Sequence, residues 1–312
     1  MIHLFLLILE DNVKITYTSK TVESVDNVLR KRLKMSHRVI KENESRVFVN
    51  GKHLNRKDNL NIGDILEIEL IQNIPDKDMF VNKYECESGK LDVLYEDDYI
   101  LAVNKPAGMP VHPSSNHYTN TLSNIVAPYL AKQGIYGIHI VTRLDKDTSG
   151  VCIFAKHPYI QELFNIDKIK MKLEKEYVAV VNGKVLKHQI IGEPIARKND
   201  TIILREVRDD GKYAKTEYER VLYNSIDNYS VVKIKLYTGR THQIRVHMSH
   251  IGHTLLGDDL YATEEEKKYI LKLISRQALH CRKISFLHPI TDKLICIEAS
   301  VPQDMSYLNI NI

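Results

Sequence analysis

The chain has 312 residues, 43% of them hydrophobic, and a length that accommodates one large domain plus a small one. Its 44 lysines and arginines exceed its 40 aspartates and glutamates by a net charge of +4, which permits a nucleic-acid partner without requiring one. The cysteines, Cys86, Cys152, Cys281 and Cys296, are far apart and form no Cys-x-x-Cys pair, which argues against a zinc site or disulfide framework and suits a reducing cytosol.

The apolar segment from Ile2 to Leu9 is predicted to be the first strand. It is followed by Glu10 and Asp11, has no basic leader, and is too short for a signal peptide or a membrane span. We therefore expect a cytoplasmic protein without a membrane partner.

The next segment, residues 21–70, has the pattern of a small separate module. Its first helix is predicted from apolar residues on one face: Val25, Val28, Leu29 and Leu33. Ser36 is a suitable cap for a second helix from His37. The turn Asn50-Gly51 after a short strand indicates a hairpin, and residues 62–68 indicate a further turn and a closing strand.

Two helices, a Val-Asn-Gly turn and a Gly-Asp strand together resemble an S4-like RNA-binding domain. The resemblance implies that Arg38 and Lys41 on the second helix contact RNA, and basic side chains there would neutralise phosphates. The alternative is a solvated helix face. We predict this domain, with its preceding strand, over residues 1–75, a polar linker over 76–90, and a second domain over 91–312.

The second domain is predicted to begin with two short strands between Leu91 and Val103. A proline-rich loop follows them, Lys105-Pro106-Ala107-Gly108-Met109-Pro110-Val111-His112-Pro113, because prolines exclude a helix there. Helices are predicted near 120–129 and over 158–171.

Between these helices, two apolar runs flank Arg143-Leu144-Asp145-Lys146-Asp147-Thr148-Ser149-Gly150. The pattern predicts a carboxylate, Asp145, on a turn held by two buried strands, which is a common layout for an active site. Taken alone, the same pattern also fits a solvated loop charge. The sequence Arg-Leu-Asp-x-x-Thr-Ser-Gly, however, resembles the catalytic motif of the RluA-like family of RNA pseudouridine synthases. The proline-rich loop also resembles the corresponding segment of that family.

Further motifs follow in the family's order. They are Lys175-Glu176-Tyr177, Gly211-Lys212-Tyr213-Ala214-Lys215-Thr216, Gly239-Arg240-Thr241-His242-Gln243-Ile244-Arg245-Val246-His247, Gly257-Asp258-Asp259-Leu260-Tyr261 and Ala278-Leu279-His280. One departure is Thr142, where the family normally has a histidine before Arg143. The histidines near residue 242 lack the glutamate of a zinc-protease motif, so no metal is expected.

The resemblance implies an α+β pseudouridine synthase fold: a mixed, largely antiparallel sheet with flanking helices and a central cleft, beside the S4-like module. It implies Asp145 as nucleophile or base, Arg245 paired with Asp145, and Tyr177 against the uracil, with a role in proton removal from C5 as an open alternative. Substrate binding is assigned to the remaining motif residues: Arg143, Leu279, Arg240, His242 and Lys105.

The implied reaction converts uridine to pseudouridine in RNA, most readily large-subunit ribosomal RNA. It involves no redox change or phosphoryl transfer, so no cofactor is expected, and we expect a monomer. Two alternatives remain. One is a non-catalytic RNA-binding or ribosome-assembly factor on the same fold. The other is a hydrolase using Asp145, which the absence of a second carboxylate at suitable spacing disfavours.

Overall fold

The computed structural model describes residues 4–9, 12–71, 80, 84, 89–113, 118–166, 173–199, 201 and 203–306. In this part the strands are β1 Leu4–Leu9, β2 Asn12–Thr18, β3 Glu23–Ser24, β4 Val47–Val49, β5 Lys52–His53, β6 Asn59–Leu60, β7 Ile65–Ile71, β8 Val93–Glu96, β9 Ile100–Lys105, β10 His139–Ile140, β11 Ser149–Ala155, β12 Glu174–Asn182, β13 His188–Ile191, β14 Ile195–Arg197, β15 Arg205–Val207, β16 Thr216–Asn224, β17 Tyr229–Leu236, β18 Leu279–Leu287 and β19 Leu294–Glu298.

The α-helices are α1 Val25–Asn27, α2 His37–Asn43, α3 Leu122–Ala131, α4 Pro158–Ile166, α5 Gln243–His250, α6 Glu264–Leu273 and α7 Gln303–Ser306. A π-helical segment, Val28–Arg32, extends α1, and a 3-10 turn, Glu44–Arg46, follows α2. No helix within the described ranges is long and apolar enough to cross a membrane.

The N-terminal part folds around a sheet with strand order β1-β2-β7-β4-β5. The Ser36 hydroxyl caps α2 by accepting a hydrogen bond from the Val39 N–H, as predicted. Asn50 and Gly51 both have positive φ and join β4 to β5, which confirms the predicted turn. The buried side chains of both helices, including Leu29 and Ile40, pack in the hydrophobic core with buried residues of β4 and β7.

The second part folds around a larger sheet. Among the described residues its order is β13-β16-β17-β12-β18-β11-β9-β8, with β10 beside β11 and β19 beside β18. Every pairing in it is antiparallel except that of β11 with β18. Strand β11 is buried along its whole length, as its apolar run predicts. The predicted α+β class and largely antiparallel sheet are confirmed.

The two parts share a hydrophobic core that extends from the N-terminal helices to the large sheet. Tyr159 of α4 is buried at their junction and donates its hydroxyl hydrogen to the Leu33 carbonyl oxygen, 2.6 Å away. Most of the predicted linker, 76–90, lies outside the described residues. Phe80 and Tyr84 within it are buried against Ala127 of α3. The domain boundaries remain a prediction.

The helices differ from prediction in detail. Thr121 caps α3, and the Asn124 side-chain oxygen accepts a hydrogen bond from the Thr121 N–H, so this helix begins at Leu122. The described part of the helix predicted over 158–171 ends at Ile166, and the rest lies outside the described residues.

Candidate active site

Four neighbouring strands bring predicted site residues into one row across the large sheet. Lys105 pairs with Gly150, Gly150 with Cys281, and Cys281 with Tyr177. Along β9, Lys105 follows the alternation of Leu101 and Val103, which pack on the opposite face of the sheet from Cys281 and Tyr177. Cys281 and Tyr177 are directly paired and share one face. Leu279 lies two residues before Cys281 on β18 and therefore belongs to this face as well. The loop that carries Asp145 enters β11 at the middle of the row.

Asp145 lies on an irregular loop between β10 and β11, as predicted. Its backbone carbonyl accepts a hydrogen bond from the Thr148 N–H, 3.2 Å away, which closes a tight turn. Its side chain is half-buried, and the neighbouring Arg143 is exposed. Neither side chain has a hydrogen bond or ion pair to another described residue. Both are therefore available to a ligand.

Gly150 is required where the loop meets the sheet. Its φ is +115°, and a Cβ atom there would lie 2.1 Å from the Cys281 carbonyl oxygen. Since this contact involves backbone, no side-chain movement relieves it. The glycine of the Thr-Ser-Gly motif thus allows β11 to approach β18 and fixes the end of the Asp145 loop.

Lys105 differs from its predicted role as a substrate-binding residue. Its side chain is fully buried, and its ammonium donates hydrogen bonds to three carbonyl oxygens, of Pro106, Met109 and Lys146, at 2.7, 2.7 and 2.9 Å. Because an ammonium has three N–H donors, none remains for RNA. Burial lowers the pKa of Lys105 to about 8, against the raising effect of acidic neighbours that include Asp147 and Asp145. Lys105 therefore holds the Asp145 loop against the proline-rich loop.

Arg276 holds the Asp145 loop from the other side. It belongs to none of the sequence motifs. Its guanidinium donates to the Asp147 carbonyl oxygen at 3.1 Å and forms two hydrogen bonds with Asp304 of α7, at 2.6 and 2.9 Å. The Gln277 amide donates to the Thr148 hydroxyl at 3.4 Å. Lys105 and Arg276 thus bind consecutive carbonyl groups of the loop, Lys146 and Asp147.

Tyr177 is buried on β12 beside the Asp145 loop. Burial raises its pKa well above the ordinary value for tyrosine, and the Cys281 thiol and the Asp145 carboxylate act in the same direction. The side chain is therefore a neutral phenol at physiological pH. This protonation state suits contact with a base better than proton abstraction by a phenolate.

Arg245 does not pair with Asp145 as the sequence analysis expected. Its Nε and Nη2 each lie 2.7 Å from an oxygen of Asp258, and both side chains are almost completely buried. Asp145 acts on Arg245 only as a nearby charge: burial lowers the pKa of Arg245, but Asp258 and then Asp145 outweigh that effect and raise it. The reason is geometric, because a planar guanidinium satisfies Asp258 with two parallel bonds. Asp258 belongs to the Gly257–Tyr261 motif, for which the sequence alone predicts no role of this residue.

His242 and Arg240 lie at the start of α5. His242 is the N-cap, with a left-handed backbone at φ 55°, and its Nδ1 is 2.8 Å from the Tyr261 hydroxyl. Burial lowers the pKa of His242, whereas the Asp145 carboxylate acts to raise it. Arg240 is exposed, and its Nε donates to the Tyr213 carbonyl oxygen at 2.9 Å. His242 therefore belongs to the surroundings of Asp145, and Arg240 lies at the surface beside them.

Thr142 replaces the family's usual histidine in a position that faces inward. It is 2% exposed, and its hydroxyl accepts a hydrogen bond from the Ile153 N–H at 2.9 Å. The side chain thus continues the pairing of this segment with β11.

The electrostatics join these residues into one site. The Asp145 charge acts on the pKa values of Lys105, Tyr177, His242 and Arg245. Within the described ranges, no group of three or more histidine, cysteine or acidic side chains could hold a metal ion. The arrangement brings together one carboxylate, Asp145, one neutral phenol, Tyr177, and the nitrogen groups of His242 and Arg245, with the buried apolar side chain of Leu279 on the same sheet face as Tyr177.

On the N-terminal module, Arg38 and Lys41 lie on the exposed side of α2. Arg38 is 74% exposed and 3.7 Å from Glu42, a long ion pair, and Lys41 has no partner among the described residues. Both side chains are accessible. Among the described residues, no hydrogen bond or ion pair connects either of them to the Asp145 site.

Comparison with known proteins shows the family of the chain. Residues 99–250 match the family model described as RNA pseudouridylate synthase. The chain is 38% identical to the RNA pseudouridine synthase YhcT of Bacillus subtilis, covering 88% of this chain and 85% of that protein. It is also 38% identical to ribosomal large subunit pseudouridine synthase D of Zymomonas mobilis, covering 70% and 71% of the two chains. The structure of human RNA pseudouridylate synthase domain containing 1 has the same fold, with a TM-score of 0.56, 21% identity, and coverage of 69% of this chain and 86% of that one.

Proposed function

The chain belongs to the RNA pseudouridine synthase family, and we propose that it converts uridine to pseudouridine in large-subunit ribosomal RNA with Asp145 as the catalytic residue. The ribosomal substrate is supported by the printed name of the Zymomonas mobilis relative. The single observation that carries the catalytic assignment is the position of Asp145: a half-buried carboxylate, without a hydrogen bond or ion pair to any residue that the structure describes, on a loop held at two consecutive carbonyls.

The reaction moves the uracil from N1 to C5 attachment. The C1′–N1 bond breaks, the base turns, C5 bonds to C1′, and the proton that leaves C5 is balanced by one gained at N1. Asp145 either attacks C1′ or removes a proton from the sugar to begin elimination. Neither route needs a cofactor, because no electrons enter or leave the substrate.

The neighbouring residues have separate roles in this proposal. Tyr177 stacks on the uracil together with the apolar Leu279, and Arg245 places a positive charge near the Asp145 carboxylate. The uridine must leave its stack to reach Asp145, at a cost of roughly a few kcal/mol. The exposed Arg143 beside Asp145 is suited to occupy the space that the base vacates.

We propose in addition that the N-terminal module is an S4-like RNA-binding domain that uses Arg38 and Lys41. Both side chains are exposed and lie three residues apart on α2, so one phosphate backbone can reach both. Replacing both by glutamine should weaken RNA binding and reduce its salt dependence by about one unit of slope per lost phosphate contact. Lys14→Gln is the matched control, because Lys14 is already paired with Glu67 at 2.7 Å.

The catalytic proposal is tested in a strain that lacks the protein. Pseudouridines in total RNA are mapped chemically after rescue with the wild type, Asp145→Ala or Asp98→Ala. Asp98 is an exposed carboxylate of the same domain and serves as the control. Restoration of specific sites by wild type and Asp98→Ala only would support the proposal and identify the target. Restoration by Asp145→Ala, or no change at any site, would favour a non-catalytic RNA-binding factor.

A further inference from the structure

Tyr261 contacts three residues around the site: His242, Arg245 and Arg205. Its hydroxyl lies 2.8 Å from His242 Nδ1 and accepts a hydrogen bond from the Arg205 N–H of β15 at 3.1 Å. Its ring lies 5.0 Å from the Arg245 guanidinium carbon and meets the His242 ring edge-on. The Tyr261 N–H in turn donates to Asp258, the partner of Arg245.

The hydrogen atoms around this hydroxyl determine which tautomer of His242 is present. A phenol has one hydrogen to donate, and the Arg205 N–H can only donate, so the phenol oxygen is the acceptor there. Among the described residues the hydroxyl has no third partner. Its own hydrogen has one acceptor among these residues, His242 Nδ1. A bond in that direction makes Nδ1 the acceptor and leaves the proton of the neutral imidazole on Nε2.

The surroundings of His242 favour the neutral ring. Burial is the largest influence on its pKa and lowers it, and Arg245 and Arg205 act in the same direction, while Asp145 and Asp258 oppose them. The left-handed backbone at φ 55° is a strained conformation for a residue with a side chain, and such strain persists where the surroundings fix it. The Tyr261 contacts supply that constraint.

We propose that Tyr261 is a positioning residue that fixes His242 as the Nε2–H tautomer, so that the site presents a hydrogen-bond donor to an acceptor group of the RNA. The acceptor class is a uracil carbonyl or a phosphate oxygen. The same ring stacks on Arg245 and keeps its guanidinium aligned with Asp258. This inference rests on the proposed function for the identity of the ligand, but the tautomer itself is a property of the free protein.

The direct test is nitrogen NMR of the full-length protein labelled with ¹⁵N-histidine, which reports which ring nitrogen carries the proton. His242→Gln identifies the His242 signals. In the wild type we expect an unprotonated Nδ1 and a protonated Nε2, and in Tyr261→Phe a mixture of tautomers, because phenylalanine keeps the ring but lacks the hydroxyl. A protonated Nδ1 in the wild type would overturn the proposal without any need for a variant.

Kinetics provide the second readout. Loss of one hydrogen bond in Tyr261→Phe should lower kcat about fivefold to tenfold with little change in KM, because the effect acts through His242 orientation. Tyr218→Phe is the matched control, because the Tyr218 hydroxyl, on β16 of the large sheet, donates a hydrogen bond to Gln189 at 2.9 Å. An unchanged kcat and an unchanged His242 spectrum in Tyr261→Phe would refute the positioning role. If the protein modifies no uridine at all, the NMR result still decides the tautomer.

Discussion

Arg245 is held by Asp258 through two hydrogen bonds of 2.7 Å and approaches Asp145 only as a charge. Because Arg245 is bonded to Asp258, the Asp145 carboxylate has no ion pair among the described residues, while the Arg245 cation remains near it. A carboxylate bound directly by a guanidinium would have both oxygens occupied and would be a weaker nucleophile. The Asp258 partner thus separates the electrostatic benefit of Arg245 from direct competition with the substrate.

Asp258→Asn should impair both stability and catalysis. Removing one charge of a buried ion pair is expected to lower the free energy of unfolding by about 3–5 kcal/mol. The released Arg245 can then shift toward Asp145, and a misplacement of about 1 Å can cost about 10²-fold in rate. Denaturant unfolding and kcat are the measurements, with the exposed Asp259→Asn as control. A kcat that stays at the wild-type value would show that Asp258 has no part in orienting Arg245.

Tyr177 should contribute through its ring. Tyr177→Phe keeps the stacking surface and should leave the affinity for substrate RNA within about twofold, whereas Tyr177→Leu should lose about 1–3 kcal/mol of binding free energy. Because the pKa of Tyr177 is raised well above its ordinary value, its ionisation should produce no step in the kcat profile between pH 6 and about 9. A step in that range that disappears in Tyr177→Phe would contradict this and assign the phenolate a role as base.

The large sheet could be predicted because its strands have apolar runs, and the position of Asp145 on a loop could be predicted because two such runs flank it. The partner of Arg245 could not be predicted, since the motif fixes the residue but pairing depends on which carboxylate the fold brings opposite the guanidinium. Lys105 was assigned wrongly for a related reason. A lysine before a proline-rich loop has the same sequence pattern whether its ammonium faces solvent or, as here, three backbone carbonyl groups. Arg276 was missed because nothing local links it to Asp147, 129 residues earlier.

Lys105 should make stability depend on pH. Its pKa is about 8 in the folded protein and 10.5 in the unfolded chain, so between these values the unfolded chain binds more protons and the free energy of unfolding rises with pH. The stabilisation that comes from deprotonating Lys105 is complete above pH 10.5, and it is lost as the pH falls from 10.5 through 8. Other groups titrate in this range, so the quantity to measure is the difference between wild type and Lys105→Met.

That difference should grow in favour of the wild type by about 2–3 kcal/mol between pH 8 and pH 10.5, the value of a shift of this size. Lys132→Met removes an exposed lysine and controls for the general loss of one positive charge. A difference that is independent of pH would mean that Lys105 keeps its proton throughout, and that the three carbonyl groups stabilise the ammonium more than burial destabilises it.

Arg276 should be needed for the rate of the reaction more than for RNA binding. Its side chain is 9% exposed and joins α7 to the Asp145 loop through Asp304 and the Asp147 carbonyl. Arg276→Lys keeps the charge but cannot form this set of bonds, because a lysine lacks the planar fork of donors. We expect kcat to fall about tenfold or more while KM changes little, since the loop that carries Asp145 loses one of its two fixed carbonyls.

Asp304→Asn should show the same pattern to a smaller extent, because it weakens the bonds that orient Arg276 without removing the bond to Asp147. Arg282→Lys is the matched control. Arg282 lies on β18, which follows Arg276, and its guanidinium is 3.9 Å from Glu298; among the described residues it has no hydrogen bond to the Asp145 loop. An increase in KM alone would indicate that Arg276 shapes the RNA-binding surface. A fall in kcat for Arg276→Lys and Asp304→Asn, but not for Arg282→Lys, would mean that α7 helps to position the Asp145 loop through Arg276.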